Sequence, residues 1–125
     1  LRLAEALLRE GQPGKAVNTL DTLRKYFPPG KIPWDIYMVP MVETYYDAGA
    51  MEKANEASDV LLNSYVENLD YYASLDQMFR QYYRQDIEQS LLVLQQLSLL
   101  ATRAKQSEQA DKIDQELDRV IKYFE

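Results

Sequence analysis

All four glycines and all five prolines of this 125-residue chain lie before Ala50, and from Met51 to Glu125 no residue forces the backbone to turn. Gly and Pro are the strongest local breakers of regular structure, so a long stretch without them favours long helices. Strand signals are weak throughout: Val and Ile are few, no Asn-Gly pair marks a hairpin, and no apolar/polar alternation is sustained. The predicted class is all-α, with six or seven helices.

At this length one domain with a real core is expected. Apolar residues make up 46% and charged residues 27%, the balance of a folded globular chain. The longest uncharged run, Gln89 to Thr102, is interrupted by Gln95, Gln96 and Ser98 and is too short for a helix that crosses a bilayer. Direct membrane insertion is therefore not expected. Leu1 is preceded by no initiator Met and followed by no basic-then-apolar leader, which leads us to expect a piece of a longer protein.

The net charge is -6, and the Lys and Arg residues are scattered instead of forming the stripe that a phosphate backbone requires, so nucleic acid is not an expected partner. With no Cys there are no disulfides or thiolate metal sites, and either redox compartment is allowed. With no His, the commonest general base and transition-metal ligand is missing. No catalytic residue, cofactor or metal site is expected.

The first helix is predicted over about Leu1–Glu10, with Leu3, Ala4, Leu7 and Leu8 inward and Gly11 in the left-handed position that ends it. Pro13 suits the first turn of the second helix, whose stripe is Val17, Leu20, Leu23 and Phe27 and which Pro28-Pro29-Gly30 stops. A third helix follows Pro33, carries Pro40 early at the cost of a backbone hydrogen bond, and ends at Gly49. Met51 opens the fourth. From Ala54 through Leu61, Leu69, Tyr72, Leu75 and Phe79 to Tyr83 the apolar phase runs without a slip, which allows one helix over about Met51–Tyr83. The alternative is a break between Glu67 and Asp70, with Asn68 as a cap. In either case residues Asn68 to Gln85 are expected to be helical. Asp86 is the expected N-cap of a helix with Ile87, Leu91, Leu94, Leu97, Ala101 and Ala104 inward, whose face Leu92 and Leu99 widen. Gln106-Ser107 then leads to a last helix carrying Ala110, Ile113, Leu117, Val120 and Phe124.

Superposing the first two predicted hairpins matches Gly11 with Gly49 and Ala16 with Ala54, both 38 residues apart. This spacing is near the ~34-residue tetratricopeptide period. The first hairpin resembles that family at Leu3, Ala4, Leu7, Gly11, Ala16, Leu20, Leu23 and Pro28, and the second at Met41, Tyr45, Gly49, Ala54 and Leu61. A third is suggested by Leu97, Ala101, Ala110 and Leu117, without a turn glycine. Its Ala110 stands 56 residues after Ala54. The surplus over a repeat, about 22 residues, falls in the Asn68 to Gln85 region. The resemblance implies antiparallel hairpins stacked as a short right-handed solenoid that binds or scaffolds other proteins. The competing reading is a generic helical bundle. Ile32-Pro33-Trp34-Asp35-Ile36-Tyr37, Glu52-Lys53-Ala54-Asn55-Glu56 and Leu69-Asp70-Tyr71-Tyr72 look like the soluble C-terminal region of large bacterial multi-spanning membrane proteins whose membrane part resembles protein O-mannosyltransferases. That likeness implies an accessory domain at an inner membrane, the periplasmic side favoured, with any transferase chemistry outside this chain.

If a partner binds, the repeat-like geometry assigns it to a groove wall on the first and third helices: Glu5, Arg9, Glu43, Tyr46 and Asp47, with Tyr46 as anchor. Three acids against one Arg favour a basic or polar peptide. The partner is expected to be a protein or peptide, the membrane-embedded part of the same chain included. At the position where carboxylate-gripping tetratricopeptide grooves place an Asn, this chain has Glu5 and Glu43, which argues against that specificity. Two enzyme-like patterns have blander readings. Asp111, Asp114, Glu116 and Asp118 lack the Gly of a calcium loop and read as a solvated helix face. Glu5, Glu43 and Asp47 form an acid/base pair only if burial splits their ionisation. Of ten tyrosines, Tyr45-Tyr46, Tyr71-Tyr72 and Tyr82-Tyr83 are adjacent pairs, each expected to place one ring in the core and one at its edge.

Overall fold

The computed structural model describes residues 1–26, 35 and 38–125. Among these it is all-helical: α1 (Arg2–Arg9), α2 (Pro13–Tyr26), α3 (Val39–Asp47), α4 (Met51–Ser74), α5 (Gln77–Tyr82), α6 (Arg84–Arg103) and α7 (Ser107–Ile121), then a 3-10 turn, Lys122–Phe124. The readings made for Phe27, Pro28-Pro29-Gly30, Pro33, Trp34 and Tyr37 lie outside the described residues. Two compact units divide the chain, Leu1–Leu61 and Leu62–Glu125.

Three turns share one hydrogen-bond pattern. After α1, Gly11 (φ 77) donates to the Leu8 carbonyl and Gln12 to Leu7; after α3, Gly49 (φ 82) donates to Tyr46 and Ala50 to Tyr45; after α6, Lys105 (φ 60) donates to Thr102 and Gln106 to Ala101. Each is a left-handed cap that satisfies carbonyls orphaned at the helix end. Five residues beyond each left-handed residue stands a buried alanine, Ala16, Ala54 or Ala110, whose small side chain lets the following helix approach closely. The 38- and 56-residue offsets read from the sequence are thus offsets between structurally equivalent turns. An added Cβ would meet nothing within 4 Å at Gly11 or Gly49, so these glycines serve the backbone angle and not a close approach. Lys105 holds the same angle with a side chain that disfavours it. Lys105→Gly is therefore expected to stabilise the chain by about 0.5–1 kcal/mol, read from the denaturant midpoint. A lower midpoint would show that the Lys105 side chain contributes more than its backbone strain costs.

In the first unit α1 packs on α2, and α3 packs on both. Its core comprises Ala4, Ala16, Leu20, Met41, Val42, Tyr45, Ala54, Ala57 and Leu61. Leu3, expected inward, is 62% exposed, whereas its counterpart Met41 is 1% exposed. Pro40 sits in the first two positions of α3, where a backbone N–H has no helical partner to lose, so the expected cost does not arise.

In the second unit α6 packs on α7 around Val93, Leu94, Leu97, Ala101, Ile113 and Val120. Residues 68 to 85 are helical but for two short breaks, at Leu75–Asp76 and at Tyr83; the helix from Met51 thus neither runs unbroken to Tyr83 nor breaks between Glu67 and Asp70. Asp76 is extended (φ -61, ψ 154), and Arg80 folds back to donate to the carbonyls of Leu75 (3.0 Å) and Ala73 (2.6 Å), closing the end of α4. The break shifts the apolar phase, which is why Phe79, expected inward, is 52% exposed. Asp86 does not cap α6; the cap position is Tyr83, and Asp86 lies in the first turn, where its charge suits the helix dipole. Ala104, expected inward, is the partly exposed C-cap of α6, and Leu92 and Leu99 are 48% and 59% exposed instead of packed.

Candidate functional site

The candidate wall lies on α1 and α3, two helices in contact within the first unit. Glu5 and Glu43 are half-buried, and Arg9 and Asp47, the last residues of their helices, are exposed. Among the described residues none of these four side chains makes a hydrogen bond or ion pair. Tyr46 does not belong with them: it is 6% exposed and its hydroxyl donates to Asn55 Oδ1 at 2.5 Å. A tyrosine whose polar tip finds an acceptor can be buried whole, so both members of the Tyr45-Tyr46 pair are in the core. The wall offers carboxylates without an aromatic anchor.

Tyr45 belongs to a network that the sequence did not disclose. Asp21 on α2 accepts from the Tyr45 hydroxyl on α3 (2.7 Å) and from Lys53 Nζ on α4 (2.5 Å). Arg24 lies 6.0 Å from the centroid of the Tyr45 ring and pairs with Glu56 at 3.8 Å. Three helices are tied through one carboxylate. Burial pulls the Asp21 carboxyl upward, but the hydrogen bonds from Lys53 and Tyr45 and the charges of Lys53 and Arg24 outweigh it and hold it below its ordinary value. Burial, aided by the bond to Asp21, pushes Tyr45 up to about 12; burial and then the charge of Asp59 do the same to Tyr46.

These two tyrosines make the fold sensitive to alkali. Their folded values exceed the unfolded ~10, so their contribution is whole below pH ~10 and is lost as pH rises towards 12. Helicity is expected to fall across that window while Tyr45 and Tyr46 ionise with unfolding, as followed by ultraviolet tyrosinate titration beside circular dichroism. If all ten tyrosines ionised near pH 10 with the helices intact, the two would not be buried as described.

The remaining paired tyrosines sit at the surface of the second unit. Tyr72 stacks on Tyr83 (centroids 4.8 Å apart, 24° between planes), and Tyr71, 55% exposed, meets both at an angle. Tyr82 is 82% exposed, as are Met78 at 72% and Phe79 at 52%, and α5 has no buried residue. On its other side α5 borders an open groove of about 450 Å³, lined by Gln77, Arg80, Arg84, Ile87, Leu91 and Tyr123 among others. Asp111, Asp114 and Asp118 are exposed and Glu116 half-buried, as on a solvated helix face. Asp114 accepts from Ser98, and Glu116 pairs with Arg119, which also forks onto Asp70. No helix of the described residues is long and apolar enough to cross a membrane. Compared with family models, with curated proteins and with solved structures, the chain finds no match.

Proposed function

We propose that this chain is a non-catalytic protein-interaction or scaffolding module of tetratricopeptide character, an accessory domain of a bacterial membrane protein. The equivalence of the three turns supports the repeat reading. The observation that carries the binding role is the wall on α1 and α3, where Glu5, Glu43 and Asp47 reach solvent with no partner among the described residues. Three acids beside one arginine would accept Lys or Arg side chains of a basic or polar peptide, with rim-type charges that set association rate and salt dependence more than affinity. Selection from a displayed random-peptide library should enrich Lys- and Arg-rich sequences whose binding weakens with salt. Reversal by Glu43→Lys with Asp47→Lys should weaken them at least about tenfold, as each lost charge pair at an interface is commonly worth a kcal/mol or more. Binders indifferent to that reversal would rule the wall out.

A further inference from the structure

We infer that α5 is a strap: it opens as a unit about the breaks at Leu75–Asp76 and Tyr83, is latched shut by the Arg80 side chain, and in opening uncovers apolar side chains of the groove it borders. A helix of six residues is far too short to persist in water by its own hydrogen bonds, so α5 is held by what it touches. It touches little. Five of its six residues are exposed, and the sixth, Arg80, is half-buried. Asp76 stands at its N-cap but makes no side-chain cap bond. Among the described residues Arg80 is the one α5 side chain that makes a hydrogen bond, from Nε to the Leu75 carbonyl and from Nη2 to that of Ala73.

Both acceptors come before Asp76, the extended residue, so the latch spans the hinge that it closes. The Ala73 carbonyl is among the last of α4, which the helix leaves without a partner, and water can take it over when Arg80 swings away. Opening therefore strands no buried polar group, and α5 has no buried residue to expose. Opening α6 or α7 instead would expose Val93, Leu94, Leu97 and Ile113, all wholly buried, which amounts to unfolding the unit. Segments with few buried contacts open at a small fraction of the global free energy, and α5 is such a segment. The groove gives that opening a consequence. Gln77, Arg80 and Gln81 of α5 form one of its sides, and Ile87 and Leu91 of α6 line it as well. Ile87 is only 7% exposed although it lies in the first turn of its helix. With α5 swung out, Ile87 and Leu91 meet water on a side that was closed. The strap is independent of the α1 and α3 wall.

Hydrogen exchange of the 125-residue chain should show the amides of Phe79 to Tyr83 exchanging about a hundredfold or more faster than those of Val93 to Leu97. Arg80→Ala should speed the first set at least about tenfold further and leave the second unchanged. Gln81→Ala, at an exposed side chain of the same helix that makes no bond, should move neither. The sequence holds no cysteine, so a thiol introduced by Ile87→Cys reports on the groove alone. Its modification by a thiol reagent should speed up by the same factor when Arg80→Ala is added. Amides of α5 as slow as those of α6 would show one cooperative unit without a strap. Exchange indifferent to Arg80→Ala would remove the latch, and a thiol at position 87 whose modification ignores Arg80→Ala would show that α5 does not cover the groove; either result overturns the inference.

Discussion

Leu20→Ala and Leu97→Ala are each expected to destabilise the chain by ~2–5 kcal/mol. Both leucines are wholly buried, and they lie in different units: Leu20 where α2 meets its neighbours, Leu97 on the inner face of α6 against α7. Each truncation removes apolar surface that folding had taken from water and leaves a cavity that stiff helices cannot close. Equilibrium denaturation read at two probes, one for each unit, measures the loss where it occurs. A loss below ~1 kcal/mol at either site would mean that the helix around it repacks and that the core described is misplaced.

Removing the Asp21 carboxylate comes next in size. In Asp21→Ala the Tyr45 hydroxyl, inside a wholly buried residue, loses its acceptor, which is expected to cost ~1–3 kcal/mol. Lys53, partly exposed, returns to water at little cost. Tyr45→Phe removes the donor and leaves Asp21 with Lys53, so it should cost ~1 kcal/mol, and in the double variant the two losses should not add. Additive losses would show that the two side chains do not act together. The same bond sets a sign in acid. Because the folded carboxyl ionises below its ordinary value of 3.8, its contribution is whole above that value and is lost as pH falls through the folded one. Asp21→Asn should remove this part of the acid sensitivity, as followed by the pH dependence of the denaturant midpoint.

Local signals were legible in the sequence and tertiary ones were not. The turns at Gly11 and Gly49 were readable because a left-handed residue followed by a small one is a local necessity of two close helices. The turn at Lys105 was readable only through Ala101 and Ala110, since the residue that adopts the angle is not the type that favours it. The break at Leu75–Asp76 was hidden because Leu75, Phe79 and Tyr83 keep an apolar spacing through it; composition alone does not reveal that Phe79 faces water. Asp76 was the available signal, an N-cap residue type one turn before Arg80. Of the wall, Glu5, Arg9, Glu43 and Asp47 are exposed or half-exposed on their helices, but the burial of Tyr46 depends on Asn55, an acceptor from a different helix. The bond between Tyr45 and Asp21 joins residues 24 apart on two helices, beyond any periodic pattern.

The left-handed caps bear on how the chain finds its fold. Each reverses direction within the span of its own hydrogen bonds, so the two helices it joins need close only a very short loop, and little entropy is lost before their packing is gained. α1 with α2 and α6 with α7 can therefore form early and separately, in the time regime of small helical proteins, well before pairings between distant residues such as Asp21 with Lys53. The strained angle at Lys105 then falls on the hairpin of α6 and α7, and relaxing it with glycine should show as faster folding to the extent that this turn is already formed at the barrier.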